Sequence, residues 1–84
     1  MACSKEDITG MVRTIVSQII DEPESLEVTG RDTEEGSYYI EITVDSTDIG
    51  HVIGRQGRII KSIRTLARAA ASQEGFRVEV ELAE

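Results

Sequence analysis

Residues 49–63 read IGHVIGRQGRIIKSI, and the rest of the chain is best interpreted around them. They place Gly54 and Gly57 three positions apart, between a short apolar segment and a basic amphipathic segment. Glycine adopts the backbone angles of a sharp turn at little cost, and its missing side chain lets a ligand reach the main chain. Amide N–H groups at the start of the following helix would point outward with the positive end of its dipole. The stretch therefore predicts a turn between two helices that can hold an anion such as phosphate.

The Gly-x-x-Gly spacing is a weak signal by itself. It lacks the lysine and the serine or threonine of a P-loop, and it lacks the third glycine of a dinucleotide-binding turn. A purely structural turn between helices remains the alternative. Arg55 and Gln56 stand between the glycines, so no acid in the turn would repel a phosphate group.

Charge is unevenly distributed along the chain. The formal net charge is −7, with sixteen acidic and nine basic side chains in 84 residues. Residues 49–73 contain no acid and five of the cations, namely Arg55, Arg58, Lys61, Arg64 and Arg68. An acidic protein with one basic face can still steer a polyanion to that face, because potentials act over about 8–10 Å. A solvated helix face is the alternative, above all for Arg68, and Arg64 has the further alternatives of a salt bridge or a subunit contact.

Apolar periodicity predicts three helices and three strands. The first helix should begin at an N-cap, Ser4, and helices are expected at about 5–20, 47–53 and 58–72. Strands are expected over 25–29, 37–44 and 76–82, with a polar, glycine-bounded loop over 30–36. The buried stripe of the last helix is predicted to comprise Ile59, Ile63, Leu66, Ala67 and Ala70, with Ile60 at its border.

This order of elements predicts a topology. The first two strands should pair antiparallel across their short loop, and a right-handed crossover should place the last strand parallel to 37–44. Tyr38 alternates into the core and Tyr39 onto the other sheet face. The prediction is a two-layer α+β domain, in the order α-β-β-α-α-β, with a three-stranded mixed sheet and helices on one face. The whole chain, 1–84, is expected to form this single domain, with its core at about 5–83.

Several functional classes are not favoured. No apolar run approaches the ~20 residues that span a membrane, the first seven residues do not resemble a signal peptide, and the one cysteine, Cys3, cannot form an internal disulfide. A cytoplasmic location is expected. No carboxylate pair, metal-ligand cluster or activated nucleophile emerges, and His51 alone is expected to be solvated or to line a groove. The sequence predicts no enzymatic activity, metal or cofactor.

Residues 52–60, VIGRQGRII, resemble the signature of KH domains, in which a GXXG loop clamps backbone nucleotides. The helix and strand before this core unit resemble the type II, bacterial arrangement of the fold. The run 49–58, continued by Lys61, Ile63 and Arg64, is similar to the small single-KH bacterial RNA-binding proteins of the KhpA family. The resemblance covers essentially the whole chain.

The resemblance implies a binding mode for single-stranded RNA. The sugar–phosphate backbone would lie on Gly54–Gly57, and a narrow groove would accept about four unpaired nucleotides. The site residues it implies are Ile49, Gly50, Val52, Gly54, Arg55, Gln56, Gly57, Arg58, Ile60, Lys61 and Arg64. Ile53 and Ile63 would pack in the core beneath them.

The resemblance also implies a role and partners. The expected role is that of an RNA chaperone or post-transcriptional regulator that binds weakly alone. A homodimer, or a heterodimer with a KhpB/Jag-like protein, is expected. The alternative function is a protein-interaction module in which the same helices dimerise or dock a second KH-containing protein.

Overall fold

The computed structural model describes residues 3–84. Residues 1 and 2 lie outside this range. They include the predicted start of the domain and the beginning of the segment that was compared with a signal peptide. Within it there are three α-helices and three strands: α1 Lys5–Ser17, β1 Glu27–Asp32, β2 Ser37–Thr43, α2 Ile49–Ile53, α3 Arg58–Gln73 and β3 Arg77–Leu82. Single 3-10 turns occur at Pro23–Ser25, Ser46–Asp48 and Arg55–Gly57. No helix in residues 3–84 is long and apolar enough to cross a membrane.

Helix α1 begins at the predicted N-cap and ends earlier than predicted. The Asp7 amide donates to Ser4 Oγ and the Ser4 amide donates to Asp7 Oδ2, both at 3.0 Å, which is a reciprocal capping box. The helix ends at Ser17, not near residue 20, because the backbone changes there to a 3-10 hydrogen-bond pattern. The Gln18 and Ile19 amides donate to carbonyls only three residues back.

The sheet has the predicted topology. Its order is β1-β2-β3, with β2 in the centre. Strand β1 pairs antiparallel with β2, from Glu27 opposite Thr43 to Asp32 opposite Tyr38. Strand β3 pairs parallel with β2, and the two strands are joined by the segment that contains α2 and α3.

The prediction of a loop from residue 30 was wrong, because β1 continues to Asp32. Gly30 is a strand residue over which the Tyr38 side chain packs, and a Cβ atom built at Gly30 would lie 2.0 Å from Tyr38 Oη. The glycine makes room for an aromatic ring, and the turn itself comes later, where Gly36 has φ +84°.

Helices α1 and α3 cover one face of the sheet and enclose the core. The fully buried apolar residues come from the three helices and from β2 and β3, while β1 contributes the buried Val28; they include Ile8, Val12, Val16, Val52, Ile40, Ile42, Ile63 and Val80. As predicted, Tyr38 lies in this core. The structure thus is a two-layer α+β domain in which α2, the Arg55–Gly57 turn and the start of α3 are supported from beneath.

The predicted buried stripe of α3 was partly wrong. The buried positions are Ile60, Ile63, Ala67 and Ala71, whereas Leu66 is 53% exposed and Ile59 is half-buried. The two patterns share Ile63 and Ala67 and differ by a small rotation of the helix about its axis. The observed orientation turns alanines inward, where their small side chains allow α3 to pack close to its neighbours.

Candidate nucleic-acid interface

The turn between α2 and α3 has a backbone conformation that requires glycine. Gly54 has φ 77° and ψ 173°, a combination that side chains oppose strongly. A Cβ atom there would also lie 2.6 Å from Ile59 Cγ1. The turn is closed by the Gly57 amide, which donates to the Gly54 carbonyl at 3.1 Å. The conformation of this turn is therefore fixed by the chain itself.

Two residues of the turn adopt the left-handed conformation. Gly57 has φ 73°, and Gln56, with φ 58°, is the only non-glycine residue with positive φ in the described chain. Such strain is concentrated at functional sites in folded proteins. The Gln56 side chain is exposed, as are those of Arg55 and Arg58. The turn therefore presents two cations and an amide to solvent.

The turn leads into an uncapped helix. Gly57 occupies the N-cap of α3, which has no side-chain hydrogen bond there and no acidic residue in its first turn. The Arg58 amide donates to the Arg55 carbonyl, no side chain caps the turn, and the positive end of the dipole of a 16-residue helix lies there. By contrast, α1 has its capping box and two first-turn acids. The start of α3 is suited to an anion that comes from outside the chain.

The predicted apolar groove must be corrected at two positions. Val52 is fully buried and Ile60 is 6% exposed, so both side chains belong to the core and cannot line an open groove in this structure. Ile53, which was expected in the core, is instead half-buried. Ile49 is half-buried and Gly50 is exposed, as lining residues require. Val52 is the single buried residue of the five in α2.

The basic face of α3 lies along the free edge of β3. A cleft of about 440 Å³ is lined there by Lys61, Arg64, Thr65, Arg68 and Glu81. Lys61 and Arg68 are exposed. Arg64 makes internal bonds, since its Nε donates to the Val80 carbonyl at 2.9 Å and its Nη2 lies 3.4 Å from Glu81 Oε2. The salt-bridge alternative predicted for Arg64 is present in the structure.

Asp48, directly before α2, is a residue that supports the site from within the fold. Its carboxylate is fully buried. It accepts from the Asp21 and Glu22 amides, each at 2.9 Å, and contacts His51 Nδ1 at 2.8 Å. These bonds attach the segment after α1 to the start of α2. The Asp48-x-x-His51 spacing was visible in the sequence, but its amide partners lie more than 25 residues away.

The Asp48 contacts shift two pKa values in opposite directions. The pKa of Asp48 is lowered, first by the Asp21 amide and then by His51 and the Glu22 amide, against its burial. The pKa of His51 is raised, mainly by its hydrogen bond to Asp48. His51, expected to be solvated or to line a groove, is thus half-exposed and bonded to a buried carboxylate.

The structure also brings together three residues of metal-ligating type that the sequence did not suggest as a cluster. Potential ligand atoms of Asp21, Asp48 and His51 lie within 4.8 Å of one another. Both Asp48 oxygens already accept hydrogen bonds from the chain. The arrangement is accounted for by the attachment of α2.

Comparisons with known proteins identify relatives of this chain. A family model described as KhpA/KhpB, KH domain matches residues 9–82. RNA-binding protein KhpA of Caldanaerobacter subterraneus is 44% identical over 72 residues, which cover 86% of this chain and 95% of that protein. RNA-binding protein KhpA of Listeria monocytogenes is 36% identical over 74 residues, which cover 88% and 96% of the two chains.

A solved structure is similar over one part of its length. Era, in complex with MgGDPNP and nucleotides 1506–1542 of 16S ribosomal RNA, matches with a TM-score of 0.58 and 26% identity. The match covers 89% of this chain but only 28% of the Era chain. It therefore concerns one region of a larger protein.

The order of elements, the mixed sheet and the glycine turn between α2 and α3 are those of a type II KH domain. Within that class, the chain belongs to the KhpA/KhpB family, since the family model spans nearly all of it and the similarity to the named KhpA proteins covers most of both chains.

Proposed function

We propose that this protein is a non-catalytic RNA-binding protein that holds the backbone of single-stranded RNA on Gly54–Gly57. The observation that carries the proposal is the uncapped start of α3, which directly follows a turn held open by two glycines. Backbone phosphates would accept hydrogen bonds from amides at the uncapped start of α3, and Arg55 and Arg58 would add charge. The name of its relatives, RNA-binding protein KhpA, supports the same ligand.

The remaining proposed contacts lie on either side of the turn. Bases would rest against Ile49 and Gly50 on α2, while Lys61 would meet the next phosphate along α3. Val52 and Ile60 would support the site indirectly, because their buried side chains pack α2 and α3 against the core. Arg64 would provide a further phosphate contact on the β3 side of the cleft. About four unpaired nucleotides fit this path, and such binding suits an RNA chaperone or post-transcriptional regulator in the cytoplasm.

The test replaces Arg55 and Gln56 with aspartate. The double variant should lose binding to a short single-stranded RNA in a fluorescence anisotropy titration, because two carboxylates would face the phosphates. Aspartate tolerates the left-handed conformation of position 56, so the fold should persist. The matched control is Arg31→Asp with Thr29→Asp, which makes the same change of charge on the exposed sheet face. Unchanged affinity in a folded loop variant would refute the proposal.

A second candidate function is a protein-interaction module. Leu66 on α3 is the exposed large apolar side chain among residues 3–84. A second copy, or a second KH-containing protein, could cover it. Apolar docking would persist as salt rises, whereas phosphate binding would weaken. Sedimentation of Leu66→Lys, compared with the unmodified chain, tests self-association through this residue, which is refuted if both run as monomers.

A further inference from the structure

Arg64 differs from the other cations of the basic face. It lies between Lys61 and Arg68 on α3, three and four residues from them, and all three line the cleft beside β3. Lys61 and Arg68 are exposed, whereas the Arg64 side chain is 30% exposed and bonded within the chain. The middle cation of the face is therefore the one that the protein itself already engages.

The two internal bonds of Arg64 have different physical effects. The Val80 carbonyl accepts from Nε at 2.9 Å, which fixes the guanidinium group at the edge of the sheet without changing its charge. The Glu81 carboxylate lies 3.4 Å from Nη2 and is half-exposed, so it adds little to the positioning and instead offsets the cation's charge. The carbonyl positions Arg64, and the carboxylate neutralises it.

We infer that Glu81 competes with the RNA backbone for Arg64 and thereby lowers the affinity of the cleft for RNA. This inference rests on the proposed function. Glu81 is the one acid among the residues that line the cleft. A phosphate group that enters the cleft between Lys61 and Arg68 meets Arg64 already paired with the Glu81 carboxylate. Binding at Arg64 also requires that the phosphate replace the carboxylate.

The sign of the effect separates this inference from a positioning role. If Glu81 held Arg64 ready for RNA, its removal would weaken binding. Because the Val80 carbonyl already holds Nε, removal of the carboxylate should instead leave a positioned, uncompensated cation.

The test compares Glu81→Gln with Glu27→Gln in RNA titrations at several salt concentrations. Both changes remove one negative charge from an exposed strand residue, but Glu27 lies on β1, at the opposite edge of the sheet. Glu81→Gln should bind single-stranded RNA about two- to fivefold more tightly than the unmodified protein, in line with a surface ion pair. Its log–log salt dependence should steepen by about 0.7, the effect of one added phosphate contact. Glu27→Gln should change neither quantity, and Glu81→Thr provides a second variant suited to a strand.

A double-mutant cycle with Arg64→Gln completes the test. Glu81→Gln should raise affinity only when Arg64 is present, so the Arg64→Gln and Arg64→Gln/Glu81→Gln proteins should bind equally. An equal gain in both backgrounds, an unchanged affinity or a weaker affinity of Glu81→Gln would overturn the inference. If these outcomes occur while the loop variant at Arg55 and Gln56 still abolishes binding, the proposed function stands and only the role of Glu81 fails. Absence of RNA binding by the unmodified protein would overturn both.

Discussion

Gly54 shows how one residue fixes the shape of the proposed binding turn. Its backbone angles lie in a region that only glycine populates readily, and the Ile59 side chain fills the space that a Cβ atom would need. Gly50, four residues earlier, offers a contrast on the same helix. It is exposed within α2 and no heavy atom lies within 4 Å of a Cβ atom built there.

Gly54→Ala should therefore lower the free energy of unfolding by about 2–5 kcal/mol, the sum of backbone strain and overpacking. Gly50→Ala should leave it unchanged or raise it by up to about 1 kcal/mol, since alanine favours a helix. Urea denaturation of the two variants and the unmodified protein measures both effects. Equal stability of the two variants would contradict the geometry described for the turn.

The Asp48–His51 pair predicts a pH dependence of stability. The pKa of His51 is raised, so its contribution is complete below its ordinary value of 6.5 and is lost as pH rises through the higher folded value. The pKa of Asp48 is lowered, so its contribution is present above its ordinary value of 3.8 and is lost as pH falls through the lower folded value. The pair should stabilise the fold most in the interval between these two ordinary values.

His51→Gln should remove the part of this pH dependence in which stability falls as pH rises above 6.5. The margin by which the unmodified protein exceeds the variant in unfolding free energy should be largest near pH 5–6 and should shrink toward pH 9. Urea denaturation at both pH values measures that margin. A margin that stays constant or grows at pH 9 would contradict the assignment.

At the level of the element, α3 both completes the core and begins at the proposed binding turn. Its orientation about its axis decides which side chains face the sheet and which face solvent. Ala67 is fully buried, and the adjacent Leu66 is 53% exposed. The two neighbours thus offer a direct check of that orientation.

Ala67→Val should lower the free energy of unfolding by about 1–3 kcal/mol, because extra methyl groups overpack a closely packed site. Leu66→Ala should change it by less than about 0.5 kcal/mol, as is usual for an exposed position. Thermal or urea denaturation compares them. A larger loss for Leu66→Ala would mean that the originally predicted stripe, which included Leu66, is the buried one.

The elements also show what the sequence could predict and what it could not. Alternating and helical apolar patterns predicted the order of elements and the pairing of the strands, because those patterns are local. The buried stripe of α3 was ambiguous, since the predicted and observed patterns share both Ile63 and Ala67. Gly30 was interpreted as part of a turn. The strand requires glycine there because the Tyr38 ring of the neighbouring strand packs over it, and that contact is not visible in the local sequence. The amide partners of Asp48 were likewise invisible, because only the folded chain brings residues 21 and 48 together.

At the level of the whole molecule, the basic residues of the α2–α3 segment form one positive region on an acidic protein with a net charge of −7. RNA binding should therefore weaken with ionic strength. For about three phosphate contacts, the log–log slope of affinity against salt should be near −2. Anisotropy titrations at a series of potassium chloride concentrations provide the slope. A slope near zero would indicate that apolar contacts dominate.

The most direct test of the account is a titration of the isotopically labelled protein with a short single-stranded RNA, followed by amide chemical shifts. The account predicts that the largest shifts occur at residues 54–58 and extend to Lys61 and Arg64. Amides of the exposed sheet face, such as those of Arg31 and Tyr39, should change little. Largest shifts on that sheet face, with residues 54–58 unaffected, would contradict the claim that the turn between α2 and α3 holds the RNA backbone.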